Sequence, residues 1–224
     1  MEHGHILSAG QHRDDSLNAA GIRARFADHQ PGIRSFDTER VRGDHILDPD
    51  LKLPPGLRAA AVLVGLVERR NELFVLLTQR HEGLSAHAGQ IAFPGGGVEP
   101  GDSDAVHAAL RETEEEIGLK ADRIEVIGRL DTYITGTGFE IVPVVALLRP
   151  PFELHPDPRE VTEIFEVPLA FILDPANHRR ETKQLKNGMR TFFVLPYETR
   201  RIWGATAGML VNLAEVLVPA SDAR

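Results

Sequence analysis

Apolar residues along this chain fall into two rhythms. Ala59 to Glu68 and Leu73 to Gln79 are short runs rich in branched residues, with Arg69-Arg70-Asn71-Glu72 between them. That layout predicts a pair of strands joined by a tight connection. Arg123 to Tyr133, Glu140 to Leu148, Ile164 to Val167 and Thr191 to Leu195 carry the same signature and predict further strands. The second rhythm is helical. Leu17, Ala20, Ile22 and Phe26 form a thin apolar stripe from Asp15 to His29, which Pro31 ends. A longer helix is predicted from about Ser103 to Ile117, with Asp102 and Ser103 as caps and Gly118 as its stop. Leu169 to Leu173 predicts a short helix. Ala205 to Leu217 predicts a terminal one, with Met209, Leu210, Leu213 and Val216 on one side.

Pro54-Pro55-Gly56 and Pro150-Pro151 break the pattern, and Phe93-Pro94-Gly95-Gly96-Gly97 reads as a loop. Mixed strands with two main helices predict an α/β or α+β sandwich. Residues 1–54 read as a partly helical N-terminal extension, 55–218 as the main domain and 219–224 as a tail. No internal repeat appears. The 224 residues suit one domain with extensions, or two small ones, and a 42% apolar fraction is enough for a packed core.

Charge then removes some functions. With 25 basic against 33 acidic residues, the net charge of −8 argues against a sequence-independent nucleic-acid binder. A small anionic substrate remains open, because a local basic group or a metal reverses the local field. The absence of Cys removes disulfides, thiol nucleophiles and Cys-ligated metals, and fits a reducing compartment. The longest apolar stretch, Ala59 to Val67, is too short to span a membrane. The start of the chain lacks the features of a secretory signal, so the cytoplasm is the expected compartment. His3 and His5 are the only closely spaced pair among ten scattered His residues, a weak basis for a His metal centre.

The informative segment is Arg111-Glu112-Thr113-Glu114-Glu115-Glu116-Ile117-Gly118-Leu119. At about 100° per residue, Glu112, Glu115 and Glu116 share one face, and Val106, Leu110, Thr113 and Ile117 lie nearly opposite. Such a run is ordinarily a solvated face. Yet like charges at these spacings repel, and a hard divalent cation held through oxygen relieves that. Mg²⁺ is the natural candidate. Upstream, Gly95, Gly96 and Gly97 allow close approach of backbone N–H groups to a phosphate, and Arg80, at a strand end, suits bidentate phosphate pairing.

The segment resembles the Nudix box: Gly, five residues, Glu, seven residues, then Arg-Glu-apolar-x-Glu-Glu-x-Gly-apolar. Arg111, Glu112, Glu115, Glu116, Gly118 and Leu119 match its second half, with Thr113 in an apolar slot. The first half departs: Asp102 stands where Glu is usual, and eight residues separate it from Arg111. Leu76-Leu77-Thr78-Gln79-Arg80 and His87-Ala88-Gly89-Gln90-Ile91-Ala92-Phe93-Pro94-Gly95-Gly96 resemble the signature of the coenzyme A diphosphatase branch, with Ser85 where that signature often has Arg. Val142 to Val145 and Ile202 to Ala207 look similar to the same branch.

The resemblance implies an α/β/α sandwich with a mixed sheet between helices, and makes residues 55–218 a Nudix domain. It implies hydrolysis of coenzyme A or a derivative to adenosine 3′,5′-bisphosphate and 4′-phosphopantetheine. Mg²⁺ or Mn²⁺ would sit on Glu112, Glu115 and Glu116. Arg111 would orient a carboxylate of that cluster, and the base would be a box glutamate, Glu112 or Glu115, ahead of Glu160. Arg80, Phe93, Gly95, Gly96 and Gly97 would touch the substrate; His87 is a weaker candidate. A homodimer is compatible with the chain. Other readings are a Nudix hydrolase of ADP-ribose, dinucleotides or nucleoside triphosphates, and a non-catalytic Nudix-fold nucleotide-binding regulator.

Overall fold

The computed structural model describes residues 17–29, 41–84, 86–185 and 188–218; for His29 and Leu185 it describes the backbone alone. In chain order the elements are α1 (Ala19–His29), β1 (Val41–Gly43), α2 (Asp44–Leu47), β2 (Arg58–Arg69), β3 (Glu72–Arg80), β4 (Ile91–Ala92), β5 (Gly95–Gly97), α3 (Ala105–Ile117), β6 (Ile124–Arg129), β7 (Thr132–Ile134), β8 (Phe139–Leu148), β9 (Val161–Pro168), α4 (Leu169–Leu173), β10 (Arg179–Leu185), β11 (Gly188–Tyr197), β12 (Arg200–Trp203) and α5 (Ala205–Leu217).

Among the described residues, β1 to β9 form a nine-stranded mixed sheet and β10 to β12 a separate antiparallel one. β2 is central. It runs parallel to β8 and antiparallel to β3 and β5. Its apolar run is buried on both faces, which is why it does not alternate with polar residues. Ala61, Leu63 and Val67 face one core, shared with α3 and with Val142, Val144 and Ala146 of β8. Val64 and Leu66 face the other, shared with α1, α4, α5 and the small sheet. This period of two makes the sheet the middle layer of an α/β/α sandwich. Arg70 and Asn71 turn the β2–β3 hairpin with φ of 50° and 67°, the double positive φ that a two-residue connection matching strand twist requires.

Several elements differ from the sequence expectation. The predicted strand over 123–133 is two strands, interrupted at Leu130 and Asp131. Asp131 N–H bonds the Asn212 side chain of α5 there, so the ladder yields to a helix contact. β1, β4, β5, β10, β12 and α2 had no sequence signal, being short, glycine-rich or charged. The cap of α3 is Asp104, whose side chain accepts from His107 N–H, rather than Asp102 or Ser103. Asp102 is engaged elsewhere, as described below.

Of the predicted extension, α1 buries Ile22 and Phe26 in the larger core, and β1 pairs with β7 in the main sheet. Asp15, Pro31, the His3–His5 pair and the 219–224 tail lie outside the described residues. Among the described residues, no helix is long and apolar enough to cross a membrane.

Candidate active site

Two neighbours fix α3 against the sheet. Gly118 adopts φ 71° and its N–H bonds Glu114 O, ending the helix where the sequence placed its stop. The segment that follows β8 then returns: His155 N–H bonds Ile117 O at 2.8 Å and Asp157 N–H bonds Glu116 O at 2.9 Å. These bonds satisfy carbonyls that a helix end leaves free. They also bring Glu160, three residues later, to the acidic face. On the other side β5 lies between β2 and α3. A Cβ on Gly95, where φ is 146°, would run into the backbone of Ala61 and stand 2.6 Å from Val62 Cα; one on Gly96 would stand 2.6 Å from the Glu112 carboxylate. At Gly95 only glycine permits this approach. It lets Gly95 N–H donate to Glu116 Oε2 at 3.1 Å.

The acidic residues are not equivalent. Glu116 is 3% exposed and also accepts from Arg80 Nη1 at 3.3 Å. A register shift between Gln79 and Arg80 breaks the β3–β9 ladder there and turns Arg80 toward the helix, a usual role of such irregularities. Burial pushes the Glu116 carboxyl up to about 7; the Gly95 N–H and Arg80 oppose this, and Glu160 and Glu112 add to it. Burial also raises Glu112, against the opposing pull of Arg111. Glu115 has a side chain 60% exposed and bonds Arg111 Nη1.

Helix geometry explains the difference. Glu116 lies about 60° from buried Thr113, whereas Glu115 lies on the far side of Glu112, toward solvent. The expected split into one buried and one acidic face is therefore corrected at Glu116. Thr113 tolerates its apolar slot because its hydroxyl bonds Ala109 O at 2.6 Å.

Arg111 ties the loop to the helix. It donates to both Asp102 oxygens at 3.0 Å, to Gly97 O at 3.1 Å, and to Glu112 and Glu115 at 3.0 Å. The Asp102 side chain is 1% exposed, and the Arg111 hydrogen bonds hold its carboxyl down at about 2. The extra residue in the spacing is thus absorbed by the 99–104 loop, where Asp102 also accepts from Glu99 N–H.

A cavity of about 720 Å³ opens beside this face. Its wall includes Arg80, His87, Phe93, Gly95, Gly96, Gly97, Glu112, Glu116 and Glu160, so most of the residues expected from sequence meet there. Glu115 and Arg111 do not line it. Phe93 does, but is 2% exposed and serves the core. Ser85 lies outside the described residues. Glu163 and Glu166 do not line this cavity and pair with Arg200 and Arg69.

The wall also includes residues that the sequence did not single out for the site: Asp44, Asp48, Phe139, Arg190, Phe192 and Met209. They come from α2, β8, the small sheet and α5, too far apart in the chain for spacing to connect them. Trp203 and Thr206, within a stretch already seen as similar to the family branch, line it as well.

The donor set fits a divalent cation. Glu112, Glu116 and Glu160 are oxygen donors on one cavity, and two of them are held above the usual carboxylate range by burial and mutual repulsion. A hard cation removes that cost. As they stand, no group of three acidic or imidazole side chains among the described residues is gathered closely enough to hold an ion.

Comparison with known proteins identifies the family. The NUDIX domain profile matches residues 56–187. The chain is 37% identical over 186 residues to NudL of Salmonella paratyphi B, an uncharacterized Nudix hydrolase, covering 80% of this chain and 96% of that one. It is 40% identical over 157 residues to NudL of Escherichia fergusonii, covering 70% and 81%. Among solved structures, the Nudix hydrolase RenU of M. smegmatis aligns with a TM-score of 0.44 at 26% identity, over 51% of this chain and 73% of that one. The chain belongs to the Nudix hydrolase family, enzymes that cleave pyrophosphate bonds and generally use divalent metal cations.

Proposed function

We propose that the protein hydrolyses the diphosphate of coenzyme A or its derivatives, giving adenosine 3′,5′-bisphosphate and 4′-phosphopantetheine. The observation that carries this reading is the composition of the cavity wall. Glu112, Glu116, Glu160 and Arg80 line it together with Phe139, Ile141, Phe192, Trp203 and Met209, which supply apolar and aromatic surface. A diphosphate with a nucleoside on one side and a long uncharged arm on the other suits such a wall. The signature from Leu76 to Gly96 supports the coenzyme A branch in particular.

In the reaction, the oxygen of water attacks one phosphorus, and the bond from that phosphorus to the bridging oxygen breaks. The leaving phosphate keeps the bridging oxygen and its electron pair, and the proton of water passes to a carboxylate. Glu112 and Glu116 would hold the cation with Glu160 or Glu115. Mg²⁺ or Mn²⁺ there would neutralise charge on the diphosphate and acidify the attacking water. Arg111 orients Glu112 from behind. Arg80 balances charge at the buried end of the site. The base is assigned to a box glutamate, Glu112 or Glu115, ahead of Glu160.

A substrate panel of coenzyme A, ADP-ribose, diadenosine polyphosphates and nucleoside triphosphates, with product identification, tests the reading. Faster cleavage of coenzyme A supports it. Preference for ADP-ribose replaces it, and ligand binding without turnover favours a regulator.

A further inference from the structure

Arg190 sits on β11, where the small sheet closes the cavity. The one hydrogen bond of its side chain among the described residues is from Nη1 to the neighbouring Met189 O, at 3.2 Å. No carboxylate of the described residues pairs with it. The other arginine of the wall, Arg80, is already committed to Glu116.

Across the ladder, Arg190 stands directly opposite Lys183 of β10. Like charges at directly opposed positions destabilise a sheet unless an anion lies between them. Glu181, diagonal to Arg190, is committed to Arg201 at 2.6 Å. Two further carboxylates line the cavity nearby, and both have donors. Asp44 accepts from Tyr133 OH and Gly136 N–H, and Asp48 from Thr191 N–H. Two residues along the strand, on the same face as Arg190, Phe192 tilts against Trp203 with ring centroids 5.2 Å apart. A cationic pair next to aromatic surface suits a phosphate monoester carried on a nucleoside.

We infer that Arg190, backed by Lys183, is the specificity corner of this cavity and takes a second phosphate, a monoester separate from the diphosphate under attack. With coenzyme A that group is the 3′-phosphate of the ribose. The assignment of the corner to coenzyme A rests on the proposed function; the anion corner itself does not.

Two arms keep these apart. In the first, calorimetry compares adenosine 3′,5′-bisphosphate with AMP. The wild-type protein binds the bisphosphate about tenfold to hundredfold more tightly, the scale of a charge-assisted contact. Arg190→Gln brings that ratio near one, Lys183→Gln lowers it less, and Arg190→Lys retains part of it. Equal affinity of the wild type for both nucleotides, or an unchanged ratio in Arg190→Gln, overturns the corner. In the second arm, kcat/KM is compared for coenzyme A and 3′-dephospho-coenzyme A. A preference for coenzyme A that collapses in Arg190→Gln supports its use as substrate discrimination. A preference that survives overturns that use. Failure of the wild type to cleave either removes the coenzyme A reading and leaves the first arm to judge the corner. The two Gln substitutions remove one of two opposed like charges, so the thermal midpoint holds or rises.

Discussion

Asp102 and Arg111 meet through two hydrogen bonds of 3.0 Å, with the Asp102 carboxylate almost wholly out of solvent. This pair joins the loop after β5 to the middle of α3, and Arg111 passes the constraint on to Glu112. Asp102→Asn keeps the shape of the side chain and removes its charge. The expected result is a drop in kcat of about 10- to 100-fold, the usual scale for a group that orients a metal ligand, and a loss of about 1–3 kcal/mol in stability. Steady-state kinetics and urea denaturation measure the two. Asp102→Glu, with the charge restored, recovers part of the activity.

Gly95 and Gly96 separate folding from chemistry. A methyl on Gly96 meets the flexible end of Glu112, whereas one on Gly95 meets the backbone of β2 at a φ that L residues rarely adopt. Gly96→Ala is therefore expected to fold with a near-normal midpoint and lose activity at least about tenfold. Gly95→Ala is expected to lose several kcal/mol, about 3 or more, because backbone must shift. Thermal unfolding alongside turnover distinguishes the two. Equal stability of both variants would refute the strand-on-helix packing described here.

Glu116 makes the metal-free protein sensitive to pH. Below the ordinary value of 4.5 the group is protonated in both folded and unfolded chains, and burial costs little. Above about 7 it is ionised in both, and the folded chain carries the cost of a buried charge. Stability in chelator is expected to fall as pH rises through this window, by about 3 kcal/mol. Denaturant midpoints recorded from pH 4 to 8 test it, and Glu116→Gln flattens the curve.

Glu125 gives the opposite sign. It accepts from Arg23 of α1 at 2.8 and 2.9 Å and from Arg149 at 2.9 Å. The Arg23 and Arg149 hydrogen bonds hold its carboxyl down at about 2. The contribution is full above the ordinary 4.5 and is lost as pH falls through about 2. All three groups are partly exposed, so about 0.5–1 kcal/mol is expected at low salt and less at high salt. The wild type and Glu125→Gln should converge in stability near pH 2 and separate above pH 5. Hydrogen exchange within α1 should quicken in the variant at neutral pH.

The sequence made some parts of this molecule legible and hid others. β2, β3, α3 and α5 announced themselves because each buries a long apolar face of its own. β10 and β12 did not: β10 is polar and exposed, and β12 has four residues, of which Ile202 alone is buried in the larger core. At the site, the spacing of Glu112, Glu115 and Glu116 was visible, but their inequality was not. That follows from the depth at which β5 and the 155–160 segment cover the helix, which a helical projection does not contain. Asp102 illustrates the same limit. Its acidity at a helix start suggests a cap, yet the loop lets it reach Arg111 and leaves the cap to Asp104. Arg190 and Phe192 were out of reach of any motif, because they lie more than 70 residues beyond the acidic helix and the fold alone brings them to the cavity.

Cleavage of the coenzyme A diphosphate at the acidic face of α3 is put to the test by incubating the protein with coenzyme A and Mg²⁺ or Mn²⁺ and identifying the products by mass spectrometry, with Glu112→Gln in parallel. Expected are equal amounts of adenosine 3′,5′-bisphosphate and 4′-phosphopantetheine, with the variant slower by at least about 100-fold. Intact coenzyme A after prolonged incubation of a folded, metal-supplied wild type, or an equally active variant, would contradict it.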